Sequence, residues 1–184
     1  TTGLPVSELA GIGGGCKGII SPADTTVAVL PGTMHFLEGH ALSEFLALGL
    51  PIYADNDARV AMAGEMVWGA ARNRSEAVML TLGTGVGGAI VAGGKLLRGA
   101  TGVAGHLGHY TVDPDGPVCI CGNHGCLETY FSAPAIEAQA IDAARRGVAS
   151  SLTEHFGRAP EKITCQAVFD TAARHEPTIQ LVRR

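Results

Sequence analysis

Positive charge is in short supply in this chain: 13 Lys and Arg stand against 17 Asp and Glu, a formal net charge of -4. No basic stripe is available for a phosphate backbone, so nucleic acid is not expected as a direct partner. Long apolar runs are missing too. Apolar residues make up 46% of the sequence, yet no stretch approaches the roughly 18 consecutive residues of a membrane span, and a soluble protein without a membrane partner is expected. Internal repeats and low-complexity tracts are absent. The first residues do not read as a secretory leader and include no initiator methionine; the chain opens on TTGLPVSELAGIGG, as though already inside a domain, and a fragment is expected. Its 184 residues suit one good-sized domain or two small lobes. Glycine, by contrast, is abundant: 26 of 184 positions, roughly twice ordinary usage. Many backbone positions must be tight turns or close approaches.

The five cysteines are an odd number and are unevenly spread. Cys16 and Cys165 lie far from the rest, which argues against a disulfide framework and for a reducing, cytoplasmic setting; both read as small buried apolar residues. Cys119, Cys121 and Cys126 fall in GHLGHYTVDPDGPVCICGNHGCLE, Gly105 to Glu128, beside three of the seven histidines. The spacing C-x-C-G-x-x-G-C sets Gly122 and Gly125 where the chain must bend to aim three sulfurs at one point. Three thiolates repel one another unless a cation neutralises them, and zinc does so in a tetrahedral Cys3His site. His106, His109 and His124 are the candidates for the fourth ligand. His124 sits within the span already committed to the turn, so the reading favours His109, which can fold back over the turn from Asp113 to Pro117.

Along the chain, strand and helix signals alternate, which argues for an α/β fold. Gly11 to Ile20 reads as a glycine-rich strand and turn, Thr26 to Leu30 as a short strand, Ala41 to Ala47 as a helix ended by Gly49, and Pro51 to Ala54 as a buried strand. Asp57 to Ala70 reads as a helix apolar on nearly every side, through Val60, Met62, Ala63, Met66, Val67 and Trp68, and hence buried. Strands are expected over Ala77 to Leu82 and Gly88 to Ala92, and helices over Ala133 to Arg146 and Cys165 to Arg184. A lobe boundary is placed at Gly69 to Ser75, dividing the chain into residues 1–72 and 73–184.

Two further stretches carry chemistry. TLGTGVGGAIV, Thr81 to Val91, matches G-x-G-x-x-G, but strand and turn follow where a dinucleotide fold needs a helix. The loop therefore joins two strands as a hairpin, in which Thr84 and the N–H groups of Gly85 and Gly87 can cradle an anion. Upstream, ADNDARVA places Asp55, Asn56 and Asp57 where a short strand meets a helix. An Asp there is ordinarily an N-cap, yet the carboxyl end of an α/β strand is also where a ligand crevice lies.

GLPIYADNDARVA, LTLGTGVGGAIV and GVAGHLGHYTVDPDGPVCICGNHGCLE resemble, in order and approximate spacing, the ROK (repressor, open reading frame, kinase) family of sugar kinases and sugar-responsive repressors. The resemblance runs over about Gly11 to Ala135 and is most specific in the cysteine segment. It implies an actin-like ATPase (ribonuclease H-like) fold of two lobes with a sugar between them, and ATP-dependent phosphorylation of the 6-hydroxyl of a hexose, glucose first. N-acetylmannosamine or N-acetylglucosamine kinases, and the sugar-sensing half of a repressor, are the alternatives. Asp57 then corresponds to the catalytic base and Asn56 to a ligand of sugar hydroxyls. Thr84, Gly85 and Gly87 match the phosphate hairpin. His109, Cys119, Cys121 and Cys126 match structural zinc ligands; His106, His109 and Glu128 fall at sugar-binding positions. Sugar, ATP with Mg2+, and a dimeric or tetrameric assembly are the implied partners.

Two departures stand out. His106 occupies the first position of H-L-G-H where most members have Glu, as in some bacterial N-acetylmannosamine kinases. Val29 and Leu30 precede Pro31-Gly32 where glucokinases usually show Asn, so that contact is either missing or supplied by another residue, His35 or Glu38. The D-x-G-G-T turn and the C-terminal adenosine-binding strand of such kinases find no match here, so the resemblance implies a chain truncated at both ends, and these 184 residues are expected to be inactive alone.

Overall fold

The structure is a computed structural model that describes residues 5–21, 23–30, 34–46 and 49–174. In chain order its strands and helices are β1 (Ile12–Cys16), β2 (Ile19–Ile20), β3 (Val27–Val29), α1 (Leu42–Leu46), β4 (Ile52–Asn56), α2 (Asp57–Trp68), β5 (Ala77–Leu82), β6 (Val86–Ala92), β7 (Lys95–Leu96), α3 (Glu128–Phe131), α4 (Ala133–Arg145), α5 (Ser151–Phe156) and α6 (Cys165–Ala173). The chain is α/β, as expected. The far ends of the two helices read as Ala41 to Ala47 and Cys165 to Arg184 lie outside the described residues, and so does the Pro31-Gly32 pair.

Two compact units are formed. The first comprises Thr1–Thr81 and Gly87–Leu107, the second Leu82–Val86 and Gly108–Arg184. The division falls inside the glycine hairpin and after Leu107, not at the Gly69 to Ser75 boundary read from the sequence. A break in composition marks the turn after α2 there, but that turn stays packed in the first unit: Ala71 is buried with Met62, Ala89 and Val91.

In the first unit β1 and β4 pair in parallel, with Cys16 opposite Asn56, while β2 and β3 pair antiparallel. Ile20, Val27, Leu30 and Leu37 form one core beneath them. Helix α2 starts where β4 ends, and its N-cap is Asn56, whose side chain accepts from the N–H of Ala58 at 3.1 Å and of Arg59 at 3.4 Å. The cap expected at an Asp is therefore an Asn. The helix is not buried all round. Val60, Val67 and Trp68 are 41%, 52% and 84% exposed, and only Ala58, Arg59 and Met62 are buried. One face holds the helix to the unit; burying a side chain such as Met62 contributes about 1.5–3 kcal/mol.

Strands β5, β6 and β7 form a meander. Strand β6 begins at Val86, two residues before the start read from the sequence, which shortens the glycine turn to Gly83, Thr84 and Gly85. In the second unit, α4, α5 and α6 close a helical core around Ile136, Ala140, Leu152, Ile163 and Val168. Ser132 caps α4 through the N–H of Ala135, and Thr164 caps α6 through that of Ala167.

Candidate functional site

In the first unit the functional candidates gather where β4 runs into α2. Because Asn56 takes the capping position, Asp57 is the first helical residue. It is exposed, and one of its carboxylate oxygens accepts from the N–H of Ala58 at 2.9 Å. Asn56 is buried; besides capping, its amide nitrogen donates to the carbonyl of Gly18 at 3.1 Å. That bond ties the start of the helix to the turn before β2. Cys16, paired with Asn56 in the sheet, has its thiol pushed up by burial and then by the neighbouring Asp57.

An ionic network flanks this junction. Asp55 pairs with Arg59 at 3.1 Å and with the exposed Arg98 at 2.8 Å. Arg59 is wholly buried; its guanidinium also donates to the carbonyl of Gly102 and lies 3.4 Å from Nε2 of His106. Arg59 is the residue that the sequence reading passed over. Its signal was an arginine inside ADNDARVA, on a helix that otherwise reads apolar. Glu38, weighed as a replacement sugar contact, accepts from the N–H of Leu30 at 2.6 Å.

The second unit holds the turn of the hairpin and the cysteine loop. The turn is closed by the N–H of Gly83 on the carbonyl of Gly85 at 3.0 Å, and the carbonyl of Gly83 accepts from Ala133 at 2.8 Å, at the start of α4. Thr84 is exposed and Gly85 half-buried. Glu128, first residue of α3, reaches this turn: its carboxylate accepts from the N–H of Val86 at 2.9 Å. Gly87 falls in the first unit, beside Thr81 and Ala58.

In the cysteine loop, the ligand atoms of His109, Cys119, Cys121 and Cys126 all lie within 4.8 Å of one another. Nδ1 of His109 is 3.5 Å from Sγ of Cys119, and the sulfurs of Cys121 and Cys126 are 3.6 Å apart. In a tetrahedral site with zinc–sulfur bonds near 2.3 Å, sulfurs lie about 3.8 Å apart, so donor set and spacing fit that ion. His124 does not join the four; its Nδ1 faces the carbonyl of Gly116 at 3.3 Å. Backbone bonds set the loop: Gly125 takes φ 57°, its N–H meets Pro117 at 2.7 Å and its carbonyl meets Val112 at 2.8 Å. A Cβ on Gly125 would run into the carbonyl of Asp113, so only glycine fits there. Without a metal, Cys126 is pushed up to about 12, by burial first and then by Cys121 and Cys119. Burial also opposes the Cys121 thiolate, but the N–H of Asn123 and the two other thiols outweigh it and lower that group.

The chain as a whole has counterparts among known proteins. The sequence model of the ROK family matches residues 5–184. The chain belongs to the ROK family. It is 38% identical over 135 residues to a glucokinase of Thermotoga maritima, covering 73% of this chain and 42% of that one. A glucokinase of Halalkalibacterium halodurans is 40% identical over 169 residues, covering 90% and 50%. An N-acetylmannosamine kinase of Escherichia coli is 40% identical over 145 residues, covering 79% and 48%. The chain thus spans about half the length of the curated relatives it matches. Among solved structures, a ROK glucokinase from Streptomyces griseus in complex with glucose and AMPPNP superposes with TM-score 0.76 at 31% identity, over 89% of this chain and 53% of that one. A ROK transcriptional regulator, a homologue of the E. coli Mlc protein, gives 0.77 at 28%, over 94% and 42%. These neighbours support the actin-like α/β fold class. No helix among the described residues is long and apolar enough to cross a membrane.

Proposed function

We propose that the protein to which this chain belongs is an ATP-dependent hexose kinase acting on the 6-hydroxyl, with glucose as first substrate. The observation that carries this reading is the division of labour at the start of α2. Asn56 supplies the cap, so the exposed Asp57 carboxylate is not needed to hold the helix and is available as a base. Asp57 takes the proton from the sugar hydroxyl as its oxygen attacks the terminal phosphorus of ATP; the bond to the bridging oxygen breaks and ADP leaves. Asn56, His106 and Glu128 bind sugar hydroxyls. Thr84 and the N–H groups of Gly85 and Gly87 hold nucleotide phosphates, whose charge Mg2+ offsets when it arrives with ATP.

His109, Cys119, Cys121 and Cys126 would hold a zinc ion, and four protein ligands make such a site structural. Nδ1 of His109 faces Cys119; a metal held there would leave Nε2 to carry the N–H offered to the sugar. Thiolate ligands suit the cytoplasm, and the working protein is a dimer or tetramer. The kinship with N-acetylmannosamine kinases supports N-acetylmannosamine or N-acetylglucosamine as alternative substrates. The superposition on the Mlc homologue favours a second reading, a sugar-sensing domain of a regulator.

One assay separates these. The complete protein is given ATP, Mg2+ and, in turn, glucose, N-acetylmannosamine and N-acetylglucosamine, and ADP is followed. Sugar-dependent ADP with one of them supports the kinase and names its sugar. Sugar binding without ADP from any of the three overturns the kinase in favour of the regulator.

A further inference from the structure

Arg59 is 0% exposed, a charged side chain with no access to water. Burying a cation is costly unless it is paired and hydrogen-bonded. Asp55 supplies the counter-charge at 3.1 Å, and the same carboxylate accepts the N–H of Asn56 at 2.8 Å and Nε of Arg98 at 2.8 Å. The far end of the guanidinium takes the carbonyl of Gly102 and Nε2 of His106. One buried arginine therefore pins the start of α2 to the segment from Arg98 to His106. The arrangement is not a cheap way to fill a core, because Nε of Arg59 has no hydrogen-bond partner among the described residues and an apolar side chain of similar volume would avoid that cost.

The contact with His106 has a definite polarity. A guanidinium has five N–H donors and no acceptor. Nε2 of His106 must then be the nitrogen with the lone pair, and a neutral ring must carry its proton on Nδ1. A ring protonated on both nitrogens would set an N–H and a positive charge against Arg59.

We propose that Arg59 is a positioning residue for sugar recognition: it fixes the place of His106 and holds its ring as the Nδ1–H tautomer. The proposal rests on the reading of His106 as a sugar contact. Lysine cannot replace Arg59, since one ammonium cannot serve Asp55 and the segment from Gly102 to His106 with the arginine's fork geometry.

The test uses the complete protein, with histidine labelled in the ring nitrogens and the His106 signals assigned by their loss in His106→Gln. In the native protein, long-range nitrogen–proton correlation should show His106 with its proton on Nδ1. Arg59→Lys should lose that preference. It should also raise the sugar KM at least about fivefold, with kcat within about twofold and the KM for ATP unchanged, the pattern of lost sugar binding. A native ring protonated on Nε2 overturns the proposal, and this holds even if Arg59→Lys fails to fold. An Arg59→Lys protein with the native tautomer and native sugar KM overturns it as well. If the native protein phosphorylates no sugar, the kinase reading falls by itself, and the tautomer comparison alone decides the role of Arg59.

Discussion

The carboxylate of Glu128 accepts a hydrogen bond from the backbone N–H of Val86 at 2.9 Å, across 42 residues of sequence. The residue proposed for the sugar is thus anchored on the hairpin proposed for the phosphates. Space at this point is tight, because a Cβ on Gly85 would meet the same carboxylate oxygen.

Gly85→Ala should therefore act on binding more than on stability. The obstructed atom is the end of a flexible side chain, and it can swing away from Val86 at a cost within about 1 kcal/mol. Sugar KM should rise several-fold while the melting temperature moves by less than about 3 °C. Glu128→Gln keeps an acceptor for Val86 and serves as the comparison. A Gly85→Ala protein with native sugar KM would show that the anchor does not matter.

Metal analysis of purified protein should find about one zinc per chain. Cys121 is exposed, so Cys121→Ser opens no buried cavity, and the serine hydroxyl keeps an acceptor for the N–H of Asn123; the main loss of stability should come through the metal. The variant should lose most of its zinc and melt lower, and a strong chelator should bring the native protein to the same melting point. Since the metal-free Cys126 thiol lies at about 12, zinc added at neutral pH should release protons. Folded protein with full stability and no metal would end this assignment.

The cysteine loop was legible in the sequence because its determinants are local: four candidate ligands and two turn glycines within 18 residues, His109 to Cys126, with each bend tied to a residue type. The hairpin was legible for the same reason. Helix α2 was misread because counting apolar residues does not say which way they face; Val60, Val67 and Trp68 look outward, while Arg59, the least apolar of them, is buried. What buries it is a partner set that no local pattern announces. Asp55 is four residues away but on a strand, and Gly102 lies 43 residues on. Helix α5 went unseen because it is short and its cap, Ser150 on Thr153 at 3.1 Å, lacks the acidic residue at the third helical position that marks a capping box.

For Asp57, cap and base can be told apart. In Asp57→Asn the amide oxygen can still accept from Ala58, and Asn56 still caps α2, so the melting temperature should stay within about 2 °C of the native value. Turnover should fall by about 10² to 10⁴, the usual worth of a general base, with sugar affinity largely kept. Turnover reduced less than about tenfold would leave Asp57 no role beyond its place in the first turn.

Asn56 should behave in the opposite way, and a pair of substitutions resolves its two jobs. Its oxygen caps the helix and its nitrogen holds the carbonyl of Gly18, both in a buried setting. Asn56→Ala removes both functions and leaves the Arg59 N–H without its acceptor, while the Ala58 N–H keeps the Asp57 carboxylate; loss of the cap alone costs about 0.5–2 kcal/mol, and the freed carbonyl of Gly18 adds to it. Asn56→Ser restores an acceptor for the helix but cannot reach Gly18 or a sugar hydroxyl with an amide. Chemical denaturation should therefore rank stability as native, then Ser, then Ala. Sugar binding measured by calorimetry in the complete protein should be equally poor in both variants. Should the serine variant bind sugar as the native protein does, Asn56 would be a cap and nothing more, and the recognition of the sugar at the start of α2 would pass to Asp57 alone.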